Sequence, residues 1–395
     1  MLLLVWLLLP LTSARSQPST LEWVRRFPLT SPPPKFDIAA TYDSKRQVVV
    51  TFGGSGNPLN DQVWEWNGES WNQINGPGGY GPEARVGSAM AFDSFRGVSV
   101  LFGGYNSAQQ DIRDTWEWNG IFWVFRTTNG PAPRKDHAMA YDSDRKTTVL
   151  YGGDIGVATF LPAETWEWDG NIWVRAGTNG PPLRRYYHAL AYDTKRKVTI
   201  LFGGIASLDG ANVNFPTDTW AWDGTGWRQV ATTGPSGRYR PKMVYDAQRE
   251  VVVLFGGEHA ADLHTELTDV WEWNGSQWSL QTAAGVGGRY LPAVTYDSTR
   301  KEIVQFGGAD FVNQQFTVYD DTWILRLRET WVDFSYTGNE TGEFATPFNT
   351  LQKGVNFAPP GTIVKIKAGS TPETLQLIKP VTIEAIGGPV TIGKL

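Results

Sequence analysis

The chain has 395 residues, with 35 basic against 40 acidic side chains and a formal net charge of -5. It carries no dense Lys/Arg run, which excludes the electrostatic footprint of a duplex nucleic-acid binder. Cysteine is absent, so disulfides, thiolate zinc sites, thiol nucleophiles and thioether-linked cofactors are excluded too.

Taken in chain order, residues Met1 to Leu11 form a short apolar run followed by the small polar stretch Thr12-Ser13-Ala14-Arg15-Ser16. This resembles a secretory signal over 1–16 with a cleavage site between Ala14 and Gln17. The expected location is therefore secreted, periplasmic or cell-envelope. The run is too short to span a bilayer, and no later stretch reaches about 18 apolar residues, so no membrane span is expected.

Beyond that segment one unit repeats six times. Double glycines after an apolar run stand at Gly53-Gly54, Gly103-Gly104, Gly152-Gly153, Gly203-Gly204, Gly256-Gly257 and Gly307-Gly308, spaced 50, 49, 51, 53 and 51 residues apart. About eleven residues before each comes an aromatic-Asp step with Arg three later, as in Tyr42-Asp43 and Arg46. After each comes a tryptophan strand, Trp64-Glu65-Trp66 in the first copy and Trp220-Ala221-Trp222 in the fourth. Each unit reads as four strands. Strand a is short and apolar, and the Asp of its closing turn accepts backbone N–H bonds. Strand b is a continuous apolar run, the pattern of a sheet covered on both faces. Strand c places its two Trp rings on one face. Asn-Gly or Asp-Gly steps then predict type I′ hairpins into strand d. Six such sheets at a period of about 50 residues predict an all-β, six-bladed β-propeller over 17–328.

The glycine pair after an apolar strand, the aromatic strand beyond it and the period resemble kelch repeats. That resemblance implies the propeller fold and leaves function open, because kelch propellers host binding modules and a few enzymes. The copper chemistry of kelch-type galactose oxidases needs a Tyr-Cys crosslink and is excluded by the missing cysteine. The tryptophans are read as inter-blade core.

The sixth copy lacks the hairpin signal after Trp323, whereas Leu21-Glu22-Trp23-Val24-Arg25 resembles the d strand Ile172-Trp173-Val174-Arg175. Residues 21–26 are therefore expected to complete blade six, with Trp331 as the alternative. From 329 to 395 the period ends. A helical stretch with Thr350 or Asn349 as N-cap is expected, then strands near 363–366, 374–377, 381–384 and 390–392. This segment resembles the cap and first coils of a pectate-lyase-like parallel β-helix; the later coils that carry catalysis in those lyases are missing, so no lyase site transfers.

Two groups of candidate site residues emerge. Seven residues before each aromatic-Asp step stands a basic residue: Lys35, Arg85, Arg134, Arg185, Arg238 and Arg289. They enter strand a, so they are expected at the channel mouth on the face of the variable b–c and d–a loops. There they either capture an anionic glycan or acidic peptide, or pair with the acids Asp114, Glu164, Asp218, Asp269 and Asp321. Lys35, facing Gln62 in place of an acid, is expected to be the freest. The second group, Glu258, His259, Asp262 and His264, could hold a divalent metal ion. It partly resembles the Glu-x3-Asp-x3-His iron motif of plant kelch specifier proteins, but Glu266 stands where that motif has His. His137 and His188 share one strand-a position and read as structural. The expected function is an exported, non-catalytic module that binds a glycan or protein and needs no cofactor. The alternative is a metal-dependent enzyme acting on a carbohydrate or small molecule at the propeller mouth.

Overall fold

The computed structural model describes residues 21–392, except 57–58, 60, 76–79, 157–162, 178–179, 182–184, 208–212, 260–264, 282, 285, 287, 313–314, 360–361, 374–376 and 378. The chain segments 1–16 and 393–395 therefore lie outside the described residues. Two compact units result, Leu21–Arg326 and the segment from Leu327 onward.

In the first unit six antiparallel sheets repeat one plan, with strands in the order a-b-c-d, compatible with a β-propeller. The a strands are Ala39–Asp43, Ala89–Asp93, Ala138–Asp142, Ala189–Asp193, Lys242–Asp246 and Ala293–Asp297. Each lies beside the a strands of the sheets before and after it, and the first lies beside the last. The sixth sheet differs in its outer part. There Leu21–Arg26 runs next to the c strand Thr322–Leu327, and Ala283–Ala284 adds a parallel edge. Trp331 belongs to the second unit.

The sheets are joined by a recurring ring contact. The Trp that opens strand d packs against the aromatic that ends strand b of the preceding sheet: Trp123 on Phe52, Trp173 on Phe102, Trp227 on Tyr151 and Trp278 on Phe202. Trp71 packs on Phe306 at 4.9 Å, carrying the pattern from the sixth sheet to the first. Trp23 packs edge-on against Phe255 at 5.2 Å, so the N-terminal strand supplies the sixth contact. Edge and tilted geometries set the positive ring edge against the negative face of its neighbour.

A buried carboxylate makes a second fastening. Glu65, Glu117 and Glu167, the middle residues of Trp-Glu-Trp, each bond the turn arginine of their own sheet at 2.6 Å. Each also accepts Nε1–H of a Trp in the next sheet, at 3.1, 3.0 and 2.9 Å. The fourth sheet has Ala221 and the sixth Ile324 at that place, and the Nε1 groups of the following Trp273 and Trp66 are unsatisfied. The freed arginines Arg196 and Arg300 reach the next sheet's hairpin instead, donating to the carbonyls of Asn274 and Asn67.

The turns differ in part from expectation. Asp43 accepts the N–H groups of Lys45 and Arg46, as its spacing implies. The c–d connection, however, is a four-residue loop, since Trp66 pairs with Trp71. Asn67 caps the N–H groups of Glu69 and Ser70, and Gly68 takes φ +100° while Asn67 does not, so the type I′ reading is corrected.

The second unit has the helix Leu351–Phe357, capped by Thr350. Three strands, Glu329–Val332, Ile363–Thr371 and Thr382–Ile392, pair in parallel. The stretches near 381–384 and 390–392, read as separate strands, are one. A register shift opposite Gly387 and Gly388 absorbs the glycines without breaking the pairing.

Replacing Trp23 by Ala should lower stability by about 3–5 kcal/mol, the cost of a buried Trp-sized truncation. The check is urea denaturation beside Trp173→Ala. An effect on Trp173 alone would show that the N-terminal strand is dispensable.

Candidate functional site

Each basic residue of the repeat enters its a strand under a glycine pair. Gly103 and Gly104 take φ +64° and +108°, which disfavours any side chain there. A Cβ on Gly104 would also lie 2.8 Å from the Val86 carbonyl and 3.3 Å from Arg85 Cδ. The arginine crosses this gap and donates to the Gly103 carbonyl at 3.0 Å. It ends on Asp114 in a bidentate pair of 2.5 and 3.0 Å. Arg238 does the same with Asp269 and Arg289 with Asp321, while Arg185 makes one bond to Asp218 and Arg134 one to Glu164 at 3.5 Å. The acids also accept Nε1–H of the Trp two residues on, as Asp114 does from Trp116 at 2.8 Å.

Four of the guanidinium side chains are 0% exposed and that of Arg289 is 7%. They are held inside their own sheets rather than presented to a ligand, so the expected ring of accessible cations is corrected. Burial works to raise Asp269 and Asp321, yet their arginines hold both below the ordinary carboxylate range. Among the described residues Lys35 does lack an acid partner, but it is 1% exposed and its Nζ is unsatisfied. Burial pulls its pKa down to about 8.

Two residues further on, all six entries adopt a left-handed backbone: Asp37, Gly87, Asp136, Tyr187, Arg240 and Leu291 have φ between +54° and +63°. For a residue with a Cβ this costs roughly 1–2 kcal/mol, and such strain gathers at functional sites. It is held by backbone bonds that pass from sheet to sheet. Asp37 N–H donates to Leu291 O at 2.8 Å, Asp136 to Gly87 at 2.8 Å, Tyr187 to Asp136 at 2.9 Å and Arg240 to Tyr187 at 2.8 Å. The belt sets five side chains around the b–c/d–a mouth of the channel, where a cavity of about 70 Å³ is lined by Asp37, Asp136, Tyr187, Arg240 and Lys242.

The mouth has two unlike sides. On one, Asp37 and Asp136 flank Gly87, whose missing side chain leaves room: a Cβ there would lie 2.8 Å from Asp136 Oδ1. Burial raises both carboxyls, and the charge of Asp37 pushes Asp136 further, well above the usual range. Lys242 and the Gly87 N–H oppose the rise at Asp37. On the other side Tyr187, Tyr239 and Tyr290 surround the Arg240 guanidinium at 4.4, 5.2 and 5.2 Å. Arg240 is anchored to Glu258 at 2.6 Å, and Tyr239 donates to the same carboxylate at 2.6 Å. Phe36 continues the arc against Tyr290 and Phe316.

The loop read as a metal site is only partly visible, because Asp262 and His264 lie outside the described residues. Glu258 is engaged with Arg240 and Tyr239, and His259 pairs with Arg238 across a short ladder. Among the described residues no cluster of three or more His, Asp or Glu is placed to hold a metal ion. His137 and His188 stack edge-on against Phe102 and Tyr151, each at 5.5 Å. Burial lowers both, His188 to about 3, so they stay neutral core rings.

The sequence reading missed Asp37, Asp136, Arg240 and Lys242. The signal lay in comparing copies: the position of Lys242 holds Ala39, Ala89, Ala138, Ala189 and Ala293 elsewhere.

A scan of protein-family models and a search of curated proteins each found no match for this chain. Among solved structures, "Structure of YjhT" is similar with a TM-score of 0.56 at 16% identity, covering 74% of this chain and 95% of that one. The likeness is one of fold and supports the propeller-like all-β architecture.

Two outcomes follow for the buried cations. Arg238→Ala, which strands Asp269, should cost about 3–5 kcal/mol in a thermal or urea melt. Lys35 has its folded pKa depressed to about 8 against an ordinary value of 10.5. The unfolded chain therefore binds more protons in that window, and wild-type stability rises with pH there. Lys35→Met should remove this rise and be the more stable protein at neutral pH, as melts across the window would show.

Proposed function

We propose that the chain is an exported, non-catalytic binding module that recognises a glycan at the b–c/d–a mouth of a six-bladed kelch-type propeller. In this reading Leu21–Arg26 closes the last blade and residues 1–16 direct export to the periplasm, envelope or medium. The segment 329–395 is a β-helix cap-like appendage. The sixfold Gly-Gly and Trp-x-Trp recurrence supports the kelch assignment. The run of Trp contacts from sheet to sheet, Trp23 on Phe255 and Trp71 on Phe306 included, supports the blade number and the closure.

The observation that carries the ligand class is the division of the mouth into an aromatic arc and a carboxylate arc. A sugar offers an apolar C–H face to the ring of Tyr187, and hydroxyl groups to Asp37 and Asp136. A polyanion fits less well, because the repeat arginines are neutralised within their sheets and the charge of Asp37 repels negative charge. A neutral glycan is therefore preferred over an anionic one, and over a protein partner.

The test is a glycan array and a protein-partner screen, both probed with the purified protein. Binding to neutral oligosaccharides should change little with added salt, since no ion pair is formed. Asp37→Asn and Tyr187→Ala should each weaken it about tenfold or more, equivalent to about 1.4 kcal/mol, with melting unchanged by more than a few degrees. Capture of a protein with no glycan signal, or glycan binding indifferent to both variants, overturns the reading.

A further inference from the structure

One residue at the mouth is not explained by recognition of hydroxyls alone. Lys242 opens the fifth a strand, where the other five sheets place alanine. A long cationic side chain thus stands where the other sheets place a methyl group. It lines both the mouth cavity and the adjoining cavity of about 140 Å³ deeper in the channel, with Ser88, Ala89, Ala138 and Ala189 around it. Its charge is felt by Asp37 and Asp136, from sheets one and three, across the cavity. Among the described residues no salt bridge or hydrogen bond fixes its ammonium group, whereas Arg240 next to the same opening is anchored to Glu258. The groups facing it are Asp37, Asp136, Arg240 and Tyr187 on the belt, with the neutral rings of His137 and His188 behind them.

We propose that Lys242 is a nucleophilic amine that captures a small aldehyde, such as the open-chain form of an aldose, as a reversible imine. Confinement of the ammonium group disfavours its charged form, and burial indeed lowers the Lys242 pKa despite the two acids. Asp136, whose carboxyl is pushed well above the usual range by burial and by its neighbour Asp37, supplies the acid. The amine lone pair attacks the carbonyl carbon, the C=O π pair moves to oxygen, and that oxygen takes the Asp136 proton. The nitrogen then gives a proton to the Asp37 carboxylate, leaving a carbinolamine. Return of that proton to the hydroxyl expels water and leaves the protonated imine on Lys242 and a carboxylate on Asp136. Addition of water reverses every step, and no oxidant or reductant enters.

This inference shares the mouth with the glycan reading but is tested apart from it. The purified protein is treated with glycolaldehyde and cyanoborohydride, and the reduced adducts are mapped by peptide mass spectrometry over time. Lys242 should be alkylated at least about tenfold faster than exposed lysines such as Lys45 and Lys195, because more of its amine is uncharged. Asp136→Asn should slow that adduct alone. Lys242→Ala, the residue of the other five sheets, should abolish it with the fold intact, and Lys242→Arg keeps the charge if the alanine variant melts early. Labelling of Lys242 no faster than that of the surface lysines overturns the proposal. Trapping without array binding removes only the glycan reading; array binding without trapping removes only the imine.

Discussion

The inter-sheet seam is the constraint on which this molecule depends. A sheet of this kind has two apolar faces and cannot stand alone, so each must find its neighbour in one register. The carboxylate of Trp-Glu-Trp sets that register, because it holds an arginine of its own sheet and an indole of the next at once. A buried charge is tolerable only when its lone pairs are filled, and here they are. Where Ala221 or Ile324 replaces the acid, the arginine crosses the seam instead. The fastening changes partners and survives.

Both ends of the a strand follow from this arrangement. At one end the Asp of the turn orders a tight loop by accepting two N–H groups. At the other the glycine pair opens a slot for the entering arginine, and the next residues are forced into the left-handed region. That geometry turns their side chains from the seam to the channel. The scaffold thus ends, and the site begins, within three residues: Arg134 is wholly buried among acids and glycines, whereas Asp136 lines the mouth.

The repeat, its four strands and the d-like character of Leu21–Arg26 were legible because they rest on pattern: glycine pairs, alternation and a matching Trp. The arginine–acid pairing was legible as one of two alternatives, and only burial could decide between them. The c–d loop was misread because Asn-Gly signals a turn without fixing its length; the pairing of Trp66 with Trp71 fixes it. Asp37, Asp136 and Arg240 escaped notice because nothing in their neighbourhoods marks a positive φ. That conformation is imposed by the belt of bonds to other sheets, which no local window contains.

The belt has a consequence for how such a molecule can diversify. Its bonds use only main-chain atoms, so they are indifferent to the side chains they display, and Asp, Gly, Tyr, Arg and Leu all occupy it in one chain. The mouth therefore works as a six-position display whose contents can be rewritten without touching the machinery that holds the sheets together. Different chains on this frame could present different chemistries from the same six addresses.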